Sequence, residues 1–196
     1  SFANNGQFAS AGSMSLGTGT FTNNGTLRIG SSPGFSTVTG NLALGAGSVL
    51  EIEISGYARG VDPGYDALHV TGSASVGGTV NVVYQGAFTS ANVGDAFLIL
   101  TSGGTRSGAF STIVPPPTNL GDAYVAGGDA NSMVLQRGTT FTGVRIWNTD
   151  SSGAWTTASN WSGGVLPTAG ETVIIDRGPL GNPVVTVSGT AVAGRL

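Results

Sequence analysis

The chain has 196 residues, 34 of them Gly, with 39% hydrophobic and only 9% charged residues. That balance opposes intrinsic disorder, which needs low hydrophobicity and high charge, and the length is ample for a buried core. The net charge is −3, Lys is absent and the cations are Arg28, Arg59, Arg106, Arg137, Arg145, Arg177 and Arg195; phosphate-backbone binding has no basic cluster to work with, and nucleic acid is not an expected partner.

The absence of Cys removes disulfides and thiolate metal sites. The longest apolar runs are of strand length, too short for a membrane span, and no signal-peptide pattern opens the sequence. The sequence begins without Met and stops inside a repeated pattern, so it reads as a piece of something longer.

Residues 1–37 read as short strands between Gly/Asn turns. Phe2-Ala3-Asn4-Asn5-Gly6-Gln7-Phe8 returns as Phe21-Thr22-Asn23-Asn24-Gly25-Thr26-Leu27, a shift of 21 − 2 = 19 residues. Asn-Gly is a strong turn pair because both residues accept positive φ. A hairpin and the corner of a coil both fit, and the constant shift favours corners. In a coil, Phe2, Phe8, Phe21, Leu27 and Ile29 point inwards and stack. A turn is the expected role of each Asn-Asn-Gly, ahead of a ladder that binds a ligand.

Residues 38–112 carry the clearest periodicity. Val38-Thr39-Gly40 and Val70-Thr71-Gly72 each lead to a Gly-[Ser/Thr]-Val step, at Gly47-Ser48-Val49 and Gly78-Thr79-Val80, and then to an alternating run. The runs are Leu50-Glu51-Ile52-Glu53-Ile54 and Val80-Asn81-Val82-Val83-Tyr84, with the alternation of a half-buried strand. A third start, Val187-Ser188-Gly189, lies near the C-terminus. Repetition at such intervals is typical of solenoids, while a β-sandwich over part of 38–112 shares the same alternation.

Glu51 and Glu53 fall on one strand face, where solvation is a simpler role than paired acid–base chemistry. Gly60 to Asp66 reads as a loop. Asp62 and Asp66 would be too few for a calcium ion, which takes six to eight oxygens, so turn capping is expected of them. His69, the only histidine, is placed on the exposed face between apolar Leu68 and Val70. One His without Cys supports neither a zinc site nor a nucleophilic triad.

An ordered series of motifs runs through this region: Gly30-Ser31-Ser32-Pro33-Gly34, the stretch from Val38 to Gly56, Gly64-Tyr65-Asp66-Ala67-Leu68-His69-Val70-Thr71-Gly72, Gly78 to Val82, Gly94 to Leu100, and Ser107-Gly108-Ala109-Phe110. The series, covering roughly residues 20–137, resembles the β-strand-repeat regions of autotransporter passengers and related giant bacterial surface adhesins. The resemblance implies a right-handed parallel β-helix that serves as stalk and scaffold. It transfers no catalytic residue, and the sequence lacks the C-terminal membrane barrel of that family.

Val114-Pro115-Pro116-Pro117 cannot pair as a central strand and reads as a stiff connector, with proline-rich recognition as the alternative. Asp122 to Val125 and Ser132 to Gln136 are then expected to pair and close the first unit. The last stretch is distinct: Trp147, Trp155 and Trp161, all the tryptophans of the chain, fall within 15 positions. They are expected to cover the first rung of a new coil, with exposed indoles that stack on sugars as the alternative.

The sequence thus points to an all-β protein, a β-solenoid and specifically a right-handed parallel β-helix, with one unit over 1–140 and the start of a second over 143–196. The expected role is a structural segment of an extracellular or cell-surface bacterial adhesin or fibre. No catalytic, metal or cofactor residue is assigned, and no enzyme activity is expected. The expected partners are neighbouring repeats of a longer chain or other copies of itself, and host or matrix glycans. A filament subunit joined head to tail through strand edges and a carbohydrate-binding β-helix using the three tryptophans are the alternatives.

Overall fold

The computed structural model describes residues 1–196 except 31, 32, 118–120 and 196. Ser31 and Ser32 of the Gly-Ser-Ser-Pro-Gly motif thus lie outside the described residues. Among the described residues the fold is all-β, with parallel sheets and no sheet closed on itself. Alternation explains the strands: along Phe35–Leu44 every second residue is buried, and the intervening Thr, Asn and Ala are half-exposed.

Successive passes of the chain feed two sheets. β1 (Phe2–Asn4) and β3 (Gly12–Asn23) belong to the first, β2 (Gln7–Ser10) and β4 (Thr26–Ile29) to the second. β5 (Phe35–Leu44) and β6 (Val49–Ile54) add a third pass. An excursion carrying β7 (Ala58–Arg59) and β8 (Gly64–Tyr65) follows, before β9 (Ala67–Val70), β10 (Ala74–Val76) and β11 (Thr79–Tyr84) make the fourth. β12 (Ala96–Ser102), β13 (Arg106–Gly108) and β14 (Thr112–Val114) make the fifth.

These passes pair in parallel, so like residues lie over like. In the second sheet Phe8, Leu27, Leu50, Val80 and Ile113 form one continuous column. In the first, Phe2 lies opposite Phe21 and Phe21 opposite Leu42, which lies opposite Ala74. The inward residues of both sheets build the main core, from Phe21 through Leu50 and Val80 to Leu100 and Leu135. The long pairs within 38–112 are parallel, whereas a β-sandwich pairs its neighbours antiparallel.

The Asn-Asn-Gly turns are corners, because β1 and β2 on either side of the first lie in different sheets. Asn24 N–H donates to the Asn4 carbonyl and Thr26 N–H to that of Gly6, both at 2.8 Å. A Cβ on Gly25 would collide with the Gly6 carbonyl oxygen, so close stacking of the corners requires Gly there. The amides stack too: Asn4 Nδ2 donates to Asn23 Oδ1 at 2.6 Å inside, and Asn24 Nδ2 to Asn5 Oδ1 at 3.0 Å outside. At the next level Leu44 lies opposite Asn23, and the inner ladder stops. Phe21, Leu27 and Ile29 are buried as expected, but Phe2 on edge strand β1 remains 42% exposed. Its ring still packs 5.5 Å from those of Phe8 and Phe21.

β14 is an edge strand that ends at Val114, where the prolines begin. β15 (Tyr124–Gly127) and β16 (Ser132–Arg137) pair antiparallel, and β16 lies antiparallel along the outer edge of β12. β17 (Val144–Ile146) pairs in parallel with β19 (Thr172–Ile174), and β18 (Gly153–Ala154) with β20 (Val185–Thr186). Arg195 then bridges in parallel to Thr172, so the chain beyond the third repeat start passes beside β19.

This C-terminal part packs on the outer face of the first sheet. Phe97, Ile99 and Leu135 face the main core, whereas Leu98 and Val134 point outwards to Ile146 and Ile174. β12 is therefore buried on both faces, and its unbroken run Ala96-Phe97-Leu98-Ile99-Leu100 is the sequence signature of such a strand.

Candidate functional site

The chemically richest region is the junction between the excursion after β6 and the C-terminal part. Arg59 on β7 is 1% exposed, and among the described residues its guanidinium is held by two carbonyls and a hydroxyl rather than by a carboxylate. Nε donates to the Leu98 carbonyl at 2.9 Å, Nη1 to the Arg177 carbonyl at 2.9 Å and Nη2 to Thr101 Oγ1 at 3.3 Å. Its own N–H donates to Asp176 Oδ2 at 2.9 Å. Burial lowers its pKa to about 10, which still leaves it charged at neutral pH. The fork thus fastens the excursion to both β12 and the C-terminal part.

His69 belongs to the same network. The expectation that it is exposed is corrected: it is half-buried, because the C-terminal part covers that face of the first sheet near Asn148 and Arg177. Its Nδ1 lies 3.0 Å from Thr101 Oγ1. The Thr101 hydroxyl accepts from Arg59 and keeps a second lone pair and its own proton, so it can meet either tautomer of the ring. Burial and the nearby Arg59 and Arg177 hold the imidazole below its usual pKa.

Beside this junction a cleft of about 500 Å³ opens between Tyr57, Asn92 and Asp95 on one side and Val173 to Asp176 on the other, with Arg195 at its rim. Tyr57 OH donates to Asp95 Oδ2 at 2.8 Å, and Asp95 Oδ2 also accepts the Asn92 N–H at 2.6 Å. Arg195 forms an ion pair with Asp95. Burial first, then the Asp95 carboxylate, raises the Tyr57 pKa to about 12. Tyr57 and Asp95 are 38 positions apart, and neither spacing nor motif joins them to Arg195; the sequence carries no signal for this cluster.

The residues singled out from sequence lie elsewhere. Trp147, Trp155 and Trp161 are 0%, 5% and 1% exposed and form a separate core with Val173. Trp161 meets Trp147 and Trp155 edge-on at 4.9 and 4.7 Å. Two of the indole N–H groups are used inside the chain: Trp147 Nε1 donates to the Ser151 carbonyl at 3.1 Å and Trp161 Nε1 to that of Trp155 at 2.7 Å. Indoles so enclosed offer no open face to a sugar ring.

Glu51 and Glu53 share a face, as alternation requires, but are half-buried and engaged. Glu51 pairs with Arg28 at 2.8 Å, and Glu53 Oε1 accepts from Gln85 Nε2 at 2.8 Å. Asp62 accepts from Ser55 Oγ at 2.8 Å. Asp66 is buried and accepts the N–H groups of Gly34 at 2.7 Å and Glu53 at 2.8 Å. Asp66 thus ties β6 to the start of β5, as a structural acceptor. Burial outweighs those bonds and lifts its pKa to about 7. Among the described residues no three His, Asp or Glu side chains gather as a metal site.

A scan against models of known protein families finds no match to the chain, and a search of curated proteins finds no similar sequence.

Proposed function

We propose that the chain is a structural segment of a secreted bacterial surface protein, an adhesin or fibre, in which a β-solenoid serves as scaffold. The observation that carries this reading is the column Phe8–Leu27–Leu50–Val80–Ile113, one residue from each of five successive passes in parallel register. Each pass buries its apolar side chains on the one before it, which is how a solenoid gains stability by nearest-neighbour addition. The right-handed coil follows the general rule for parallel crossovers. On this reading residues 1–140 are one unit and 143–196 begin a second. The resemblance to autotransporter passenger repeats supports the extracellular placement.

The antiparallel β15–β16 pair lies along the edge of β12 where a further parallel strand would add. That favours a segment over a head-to-tail filament subunit. Light scattering and negative-stain imaging over a range of concentrations test the choice. A segment stays monomeric throughout, whereas rods of constant width that lengthen with concentration would overturn the reading in favour of a self-assembling subunit.

A further inference from the structure

The cleft beside the Arg59 network takes no part in a scaffold role, yet it is built as a binding site. We propose that it holds one neutral sugar ring, with Tyr57 as the platform. Tyr57 is 53% exposed but not free to move. One face of its ring stacks on buried Phe97 at 6.0 Å and 10°, Phe88 meets it edge-on at 5.5 Å, and its hydroxyl is tied to Asp95. A ring clamped in this way offers its remaining apolar face with little ordering cost on binding.

The groups around that face suit hydroxyls. Asn92 brings an exposed carboxamide and Arg195 a guanidinium whose side chain is 40% exposed, both held in place by Asp95, which is itself buried and already bonded to Tyr57, Asn92 and Arg195. Asp95 and Arg195 pair with each other, which cancels their charges locally and disfavours a phosphate or an ammonium as the ligand. Val173 and Ile175 supply part of an apolar wall opposite, and the volume falls within the range of about 300–1,000 Å³ usual for small-molecule sites. An aromatic face with a few fixed polar groups at its edge matches the alternating C–H and O–H surfaces of a pyranose. This site borders the tryptophan cluster through Val173 and Ile175 but includes none of the three tryptophans.

The test is saturation-transfer and chemical-shift NMR on the full chain with glucose, galactose, mannose and N-acetylglucosamine as probes. At least one sugar is expected to receive saturation and to shift the Tyr57 ring and Asn92 side-chain signals. Affinity is expected to fall about tenfold or more in Tyr57→Ala and to be largely kept in Tyr57→Phe. No transfer to any of the four, shifts that map away from Tyr57 and Asn92, or equal binding by Tyr57→Ala would each overturn the proposal. The wild-type shift map decides the matter even where Tyr57→Ala does not fold. Oligomeric state is read separately, so failure here leaves the scaffold reading standing.

Discussion

Arg59 is the residue on which the attachment of the C-terminal part turns. Its fork serves the Leu98 and Arg177 carbonyls and the Thr101 hydroxyl, which His69 also reaches. Arg59→Met retains the apolar stem but takes the guanidinium from the two buried carbonyls, at about 1–3 kcal/mol each. A loss of about 3 kcal/mol or more in urea unfolding is therefore expected, with only partial rescue by Lys, whose point charge cannot reproduce the fork. A change within about 0.5 kcal/mol, as for an ordinary surface site, would contradict this role. The sequence gives Arg59 no distinction from the other six arginines, because its importance comes from partners 39 to 118 positions away.

Asp66 sets a pH dependence. Its carboxyl binds a proton more tightly folded than unfolded, since burial lifts its pKa from 3.8 to about 7. The stabilisation from that proton is complete below about pH 4 and is lost as pH rises through 7. Thermal midpoints measured from pH 4 to 8 should show this decline, and Asp66→Asn should flatten it. A wild-type profile that rises across that window without a component removed by the substitution would contradict it. Sequence reading expected Asp66 to cap its own turn, whereas it accepts the N–H groups of Gly34 and Glu53, 32 and 13 positions away, partners that meet it only in the folded chain.

At the scale of elements, the alternating strands were the legible part. Leu50–Ile54 and Val80–Tyr84 read as half-buried strands, and the observed strands, Val49–Ile54 and Thr79–Tyr84, pair residue for residue over six positions. Leu50 sits in the middle of the apolar column between Leu27 and Val80 and is fully buried. Leu50→Ala should cost about 2–5 kcal/mol, measured by urea unfolding; Thr79→Ala, at a half-exposed position of the same sheet, should cost far less. Equal losses would mean that the column is not the source of stability.

The tryptophans show where element-level reading stops. Their clustering in sequence sets the C-terminal stretch apart in composition, but composition alone leaves open whether indoles close a core or face solvent. The decision comes from Val173 of β19 and Val185 of β20 packing against them and from carbonyls of Ser151 and Trp155 that take two of the indole protons. β12 is a similar case. Its inward Phe97 and Ile99 follow from alternation, while outward Leu98 is buried only because the C-terminal part lies over it.

For the whole molecule, the central claim is the parallel register of successive passes. The corner echo of 19 residues was visible in the sequence, and Asn4 and Asn23 stack at that separation. Later passes lengthen to 30 residues between Glu51 and Asn81 and 32 between His69 and Thr101, where inserted loops obscure the period. The cleft and the Arg59 network were not legible because both join segments that meet only after the coils have stacked.

Because the native chain has no Cys, paired cysteines read that register without interference. Ser75 and Ser107 are exposed and lie directly opposite each other on β10 and β13. Strands of one sheet lie about 4.8 Å apart, within the Cα range of about 4.4–6.8 Å that a disulfide accepts. Ser75→Cys with Ser107→Cys should therefore crosslink on mild oxidation of the folded chain, and Ser73→Cys with Ser107→Cys, two positions out of register, should not. Crosslinking of the offset pair in preference to the matched pair, or of neither, would contradict the stacked arrangement on which the account rests.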